Sequence, residues 1–399
     1  MPRAPRILYA AGPGDVIGTY KHWKAGRDDP SQVAITYSGQ FYEFCRENQA
    51  RGYVISSNAR VDVYAEDNLI IKHRPIPFLR GPGPLYHLGQ IWYGLRLVLS
   101  AVWYRVDLAI VADGAHWFVL GLMPWFGVKV VPTLHCVLWP THRQTGGRVI
   151  RLIRKLNARF FRRRVTAVLS LSNDITKQVQ SMLNGKPVPI IPFLPTYRPE
   201  SFGDGFGPPP APPPFRVFFA GRIEKNKGVF DLLDIARNLA DEESPATEIE
   251  FDLCGDGSQL ETLRAAAANA GVSETFRCHG HSTKPFMREQ YEKCHVVIVP
   301  TTSEFVEGFN KVVAEGVLAG RPVITSSVCP ALEYVQQAVL EVPPDNAQGY
   351  QDAIVKLRAD PELYESKRLG CAEVRTQFYN PALGWKSAVA KAVGIAEAK

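Results

Sequence analysis

The sequence predicts an α/β protein of two doubly wound domains, each a parallel sheet covered on both faces by helices. Three observations predict it. The length, 399 residues, suits two domains. Short β-branched runs alternate with helical patterns along the whole chain, as in parallel strands joined by crossover helices. One stretch fits neither pattern: SFGDGFGPPPAPPP, residues 201–214, cannot hold a helix and favours extended, semi-rigid polyproline geometry.

That stretch sets the expected division into an N-terminal domain, 1–200, a linker, 201–214, and a C-terminal domain, 215–377. In the first domain strands are expected at 6–11, 33–37, 52–56, 68–72, 107–111, 129–132, 167–171 and 188–192. In the second they are expected at 216–220, 248–253, 275–279, 296–300, 322–325 and 339–342, with helices such as 228–240, 259–270 and 308–319 between them. In open sheets of this kind ligands bind outside the carboxyl ends of the strands.

Bulk composition narrows the class. An apolar share of 46% is ordinary for a soluble protein and sufficient for two cores. The seven Cys, at 45, 136, 254, 278, 294, 329 and 371, are scattered and form no C-x-x-C pair. This argues for a reducing cytoplasm and against a disulfide framework or zinc site. The first apolar run is too short for a secretory signal and reads as a strand. The nearest candidate for a membrane span, 109–128, contains Asp113, His116 and Pro124 and reads as strand, loop and buried helix. Charge is split: residues 1–200 carry 26 Lys and Arg against 12 Asp and Glu, a net of +14, and the remainder 20 against 27, a net of −7. A basic first half is expected to meet something anionic.

Three motifs follow in order in the second half. In FFAGRIEKNKG, residues 218–228, a strand ends in a tight turn that carries Arg222 and Lys227 toward a helix start. A planar guanidinium, an ammonium and helix N–H groups together suit a diphosphate. In FDLCGDGSQLETL, residues 251–263, a buried strand runs into Gly255, Asp256 and Gly257, whose glycines permit positive φ and close approach of a ligand. In VVIVPTTSEFVEGFNKVVAEGVLAGRPVI, residues 296–324, Glu307, Gly308, Phe309 and Asn310 precede a helix that holds Glu315. A carboxylate in so apolar a helix is costly without a bonding partner, and a ribose diol offers two hydroxyl donors.

Taken together these motifs resemble the donor domain of retaining glycosyltransferases of the GT-B fold, family 4 (glycosyl transferases group 1). The resemblance is close over residues 215–346 and looser elsewhere. It implies two Rossmann-like domains facing across a cleft, with the last segment, 378–399, forming a helix that packs back on the first domain. It implies that Arg222 and Lys227 bind the donor diphosphate and that Glu315 holds the ribose. Glu307 would face the transferred sugar, approached by the backbone of Gly308, Phe309 and Asn310. Glu333 falls where the family often has a further Glu. The sequence departs from the family at Asn310, usually Gly, and at Cys329-Pro330-Ala331, where glycines are usual.

On the acceptor side, VVPTLHCVLWPTHR, residues 130–143, places His135 at a strand's carboxyl end, where the family commonly has a His that points at the donor sugar. His142 and Arg143 are secondary candidates. After the first strand, AAGPGDVIGTYKHW supplies Gly12, Gly14 and Gly18, with Asp15 and Thr19 between and beside them. A dinucleotide-binding loop would need an acid closing the second strand, and the segment taken as that strand, QVAITYSGQF, has none. In the family reading Gly14, Asp15, Gly18 and Thr19 form an acceptor or phosphate loop. Residues 148–164, RVIRLIRKLNARFFRRR, read as a basic amphipathic helix, either a packing helix with a solvated Arg face or one that lies on an anionic membrane.

The expected activity is therefore transfer of a sugar, with retention, from a nucleotide-diphosphate sugar to a hydroxyl of a glycan or lipid-linked acceptor, as in bacterial-type surface polysaccharide or glycolipid synthesis. The chain has no Asp-x-Asp and no clustered His and Cys, so no metal or other cofactor is expected. Arg222, Lys227 and a helix N-terminus would carry the diphosphate charge. No nucleic-acid motif appears, and a cytoplasmic location, peripheral on the inner membrane face, is expected. Two other readings stay open: an epimerase of the same fold acting on the donor alone, and a non-catalytic protein that binds nucleotide sugars or carbohydrate.

Overall fold

The structure, a computed structural model, describes residues 3–66, 68–79, 81, 83–112, 114–139, 147–240 and 249–398. They form two compact bodies. The first comprises the described residues up to Leu138, those from 147 to Thr196 and those from Pro381 onward; the second runs from Tyr197 to Asn380.

The first body contains β1 (Arg6–Ala11), β2 (Arg51–Ser56), β3 (Asp62–Glu66), β4 (Leu69–His73), β5 (Leu108–Val111), β6 (Lys129–Leu134), β7 (Val168–Ser170) and β8 (Ile190–Pro192). Their order is β3-β4-β2-β1-β5-β6-β7-β8, parallel except for the β3–β4 pair. The order reverses between β1 and β5, so loops after these strands diverge and leave a crevice at their carboxyl ends. The central strands are short apolar runs buried on both sides, as parallel sheets require; all four residues of β5 are buried.

Two expectations fail here. Residues 33–37 are not a strand. The Thr36 hydroxyl accepts the Gly39 N–H at 3.1 Å and caps a helix, Tyr37–Glu47. Its buried Phe41, Tyr42, Phe44 and Cys45 follow helical spacing, and this outweighs a brief β-branched run. The true second strand is β2, followed by Ser57 and Asn58, so it too lacks the acid of a dinucleotide site. The antiparallel edge strand β3 leaves no mark in the sequence because its mostly exposed residues carry no apolar alternation.

The second body contains β9 (Phe215–Ala220), β10 (Ile249–Cys254), β11 (Phe276–Gly280), β12 (Val296–Val299), β13 (Val323–Ser326) and β14 (Val339–Val342). All pair in parallel in the order β11-β10-β9-β12-β13-β14, with the reversal between β9 and β12. One face packs Val217, Phe219, Phe251 and Ile298 against Leu232, Leu233 and Ala236 of the helix Val229–Ala240. Both bodies are thus Rossmann-like, doubly wound sheets.

The expected boundary moves. Residues 201–214 pack on the second body, and the chain crosses between bodies at Thr196/Tyr197 and again at Asn380/Pro381. Proline has no N–H to donate, but its peptide carbonyls still accept. The fully buried Arg321 guanidinium donates to Gly207 O, Tyr291 O and Glu292 O, each at 2.8 Å. His295 Nε2 bonds Pro210 O at 2.9 Å while its Nδ1 accepts the Arg216 N–H. Burial pushes this imidazole down to about 4, which keeps it neutral in that role. The last helix, Trp385–Glu397, belongs to the first body; the buried Trp385 donates its indole N–H to Thr133 Oγ1 at 2.8 Å.

Candidate functional site

Two loops flank the strand-order reversal of the second body, one after β9 and one after β12. The first ends in a short 3₁₀ turn, Lys225–Lys227, closed by Gly228 at φ 71°. A Cβ on Gly228 would lie 2.1 Å from Pro300 O, so only glycine lets the loops touch. That contact brings Lys227 Nζ to 2.7 Å from Glu307 Oε2, with the two side chains 11% and 13% exposed. Glu307 also accepts the Asn310 amide at 3.1 Å and the Gly308 N–H at 3.3 Å.

Asn310 sits at φ 68°, and its Oδ1 caps the following helix, Lys311–Leu318, through Val312 N–H. The backbone here needs the left-handed region, which Asn tolerates better than most residues. This accounts for Asn at a position where the resembled family usually has Gly. Phe305 was not expected. Lys227 Nζ lies 3.7 Å and Arg222 Cζ 5.4 Å from its ring centroid, so one aromatic ring contacts both candidate diphosphate ligands.

The Gly255-Asp256-Gly257 turn lies beside the loop after β9, and its glycines admit a close backbone contact. A Cβ at Gly255 would meet Gly221 O at 1.7 Å, and one at Gly257 would meet Ile223 O at 2.3 Å. They make room for the neighbouring loop. Asp256 O accepts the Ile223 N–H, and its side chain accepts the Gly257 N–H at 2.8 Å. Glu224 is bonded by both the N–H and hydroxyl of Ser258, which lowers its pKa.

Glu315 lies deeper, 7% exposed. Tyr291 donates to one carboxyl oxygen at 3.0 Å and Tyr197 approaches the other at 3.4 Å. Burial raises its pKa to about 7, against the opposing Tyr291 hydrogen bond and Lys311 charge. Tyrosine hydroxyls therefore supply the partners that the apolar helix made necessary. Phe309 is buried, and its carbonyl accepts the Ala331 N–H, so the Cys329-Pro330-Ala331 segment braces it from behind. Glu333 is exposed.

In the first body the loop after β1 runs through Gly12 and Gly14 to Asp15, which caps the helix Val16–Lys24 by accepting the Gly18 N–H at 2.7 Å. Asp15 Oδ1 also lies 3.4 Å from His73 Nε2. Thr19 is buried, its hydroxyl bonded to Asp29 and to Asp15 O, so it faces the body's interior. His135 follows β6. Its Nε2 lies 3.3 Å from Thr133 Oγ1, and its ring packs on Tyr37 at 4.3 Å and edge-on to Phe193. His142 and Arg143 lie outside the described residues. The basic helix forms at Arg148–Arg164 and buries only Phe160 and Phe161; Val149, Ile150 and Leu152 are exposed. Among the described residues, no helix is long and apolar enough to cross a membrane.

The structure thus brings Arg222, Lys227, Glu307, Gly308 and Asn310 to one point, sets Gly255, Asp256 and Gly257 beside it and Glu315 beneath it. His135 and the Gly14–Thr19 loop belong to the other body.

Residues 214–360, within the second body, match the family model of glycosyl transferases group 1. A 2-deoxystreptamine N-acetyl-D-glucosaminyltransferase of Niallia circulans is 29% identical over 156 residues, 38% of each chain. Its namesake in Streptomyces fradiae is 28% identical over 274 residues, 63% of each chain. The matched segments span less than two thirds of both relatives. The crystal structure of Anabaena Alr3699/HepE in complex with UDP superposes with a TM-score of 0.65 at 15% identity, covering 98% of this chain and 99% of that one. The fold is GT-B.

Proposed function

We propose that the protein is a retaining glycosyltransferase of the family 4 type that moves a sugar from a nucleotide-diphosphate sugar to a hydroxyl of a glycan or lipid-linked acceptor. The observation that carries this reading is the Lys227–Glu307 pair at the strand-order reversal, with Arg222 and Lys227 both against the Phe305 ring. A diphosphate placed there meets two cations and the N–H groups that open the helix Val229–Ala240. Protein groups alone would carry its charge, with no metal or other cofactor required. Glu315 would take the ribose hydroxyls, exchanging the longer Tyr197 contact for them.

In the reaction the acceptor oxygen attacks the anomeric carbon on the face from which the diphosphate departs. The bond from that carbon to the phosphate oxygen breaks, and the acceptor proton passes to the departing phosphate. Glu307 and His135 position the sugar and stabilise its oxocarbenium-like charge. No enzyme carboxylate bonds to the sugar, in contrast to retaining glycosidases. Gly14 and Asp15 are the acceptor-loop residues that remain at the surface of the first body. The helix Arg148–Arg164 rests on an anionic membrane, which places the protein on its cytoplasmic face.

UDP-sugars are the first donors to test, because the similar HepE structure contains UDP. Transfer and hydrolysis are measured with UDP-glucose and UDP-N-acetylglucosamine, and the anomeric configuration of the product is read by NMR. Arg222→Ala and Glu315→Ala should each abolish turnover. Wild-type donor binding and turnover in both variants would sink the assignment.

A further inference from the structure

The first body has a second cluster of charge that sugar transfer does not use. A cavity of about 330 Å³ lies between the end of β4 and the helix Gly83–Trp103. Three cations line it: Lys72, Arg74 and Arg96. Among the described residues none of the three is in an ion pair. Arg74 is half-buried; it donates to Ser100 Oγ at 2.7 Å and to Arg96 O at 3.3 Å, both neutral acceptors. Burial and the neighbouring Arg96 charge both depress its pKa. Lys72 lies over the Tyr104 ring, 5.5 Å from its centroid, and Tyr104 is itself stacked on Tyr53. A half-buried cluster of three cations with no carboxylate is costly, and an anion would repay it.

The rim indicates where the anion comes from. Leu99 and Trp103, which line the same cavity, are 66% and 83% exposed. Along the same helix Leu85, Leu88 and Trp92 are also exposed. Large apolar and aromatic side chains around a cationic pocket match a membrane interface, where the rings sit at headgroup depth. A cavity of this size falls near the lower end of small-molecule sites, about 300–1,000 Å³, and suits a headgroup rather than a sugar nucleotide.

We propose that this pocket binds the phosphate monoester headgroup of an anionic membrane lipid, held by Lys72, Arg74 and Arg96 while Leu99 and Trp103 enter the interface. The site is distinct from the basic helix Arg148–Arg164 and does not depend on the sugar-transfer reading. Diffuse attraction by that helix follows surface charge alone, whereas a built pocket distinguishes headgroups of equal charge.

The test is sedimentation of the full chain with vesicles containing phosphatidic acid or phosphatidylserine, matched for surface charge. The protein should prefer phosphatidic acid, and soluble glycerol phosphate should compete the preference away. Lys72→Gln with Arg96→Gln should erase the preference and lower binding roughly thirtyfold, about fivefold per cation. Arg151→Gln with Arg154→Gln should weaken both vesicle types equally and keep the preference. The melting temperature of each variant is measured alongside, and the single exposed-side change Trp103→Ser repeats the test without touching a cation. Equal binding to both vesicles, or a preference that survives the pocket variant, overturns the proposal. Binding of glycerol phosphate without any vesicle preference overturns the lipid source.

Discussion

Lys227 and Glu307 stand 80 residues apart in sequence, yet their charged atoms meet at 2.7 Å beside the reversal of strand order. Each is nearly buried, so each is the other's compensation in the free protein. Their pairing also leaves the site close to neutral until a diphosphate arrives. Lys227→Gln removes the cation and keeps a hydrogen-bond donor for Glu307. It should lower kcat/KM by about 10²–10³-fold, the scale of losing one preorganised charge stabiliser. Steady-state kinetics with a UDP-sugar check this, and a change below threefold would count against the diphosphate role.

Glu315 makes stability depend on pH. Its pKa is raised by burial to about 7, well above the usual carboxyl range of roughly 4.3. The folded state therefore keeps a proton that the unfolded chain has already lost. The stability is fully present below the unfolded pKa, declines as pH rises toward the folded value and levels off above it. The total loss is on the order of 3–4 kcal/mol. Glu315→Gln, which cannot ionise, should show a flatter melting temperature between pH 4 and 8 than the wild type. Parallel curves for the two proteins would contradict the assignment.

Glycines that look alike in the sequence should behave differently. Gly228→Ala drives a Cβ to 2.1 Å from Pro300 O at φ 71°. The left-handed backbone alone costs about 1–2 kcal/mol, and the clash adds to it. The variant should melt several degrees lower and lose donor binding. Gly12→Ala and Gly14→Ala have no atom within 4 Å of the new Cβ and should leave the melting temperature unchanged. Thermal unfolding of all three variants decides the matter.

These contrasts mark what a reader of the sequence could and could not see. The strands of the second body were legible because each is a bounded apolar run; β14 falls at Val339–Val342, where it was expected. The order of Arg222, Lys227, Glu307 and Asn310 was legible because they lie in loops at strand ends. The partners were not, because they come from distant segments. Nothing near Glu315 announces Tyr197, 118 residues earlier. Nothing in FFAGRIEKNKG announces Phe305. The glycines of Gly255-Asp256-Gly257 signalled a close approach, but sequence cannot say whether ligand or backbone does the approaching. The proline run looked like a free linker because its acceptors for Arg321 and His295 are carbonyls, which every residue has.

The setting of His135 depends on Trp385, 250 residues further along the chain. The Trp385 indole can only donate, so the Thr133 oxygen accepts it at 2.8 Å. This leaves the Thr133 proton available to His135 Nε2, 3.3 Å away, while Tyr37 and Phe193 hold the ring. Trp385 is thus a positioning residue that acts through Thr133. Trp385→Phe should lower kcat by about tenfold, the worth of roughly one hydrogen bond, and leave KM for the donor unchanged. Thr133→Val should do the same. If the three residues act as a unit, the double variant loses no more than either single one, since a broken chain cannot be broken again. Multiplicative losses in the double variant, or a raised KM in place of a lowered kcat, would show that Trp385 supports only the packing of the first body.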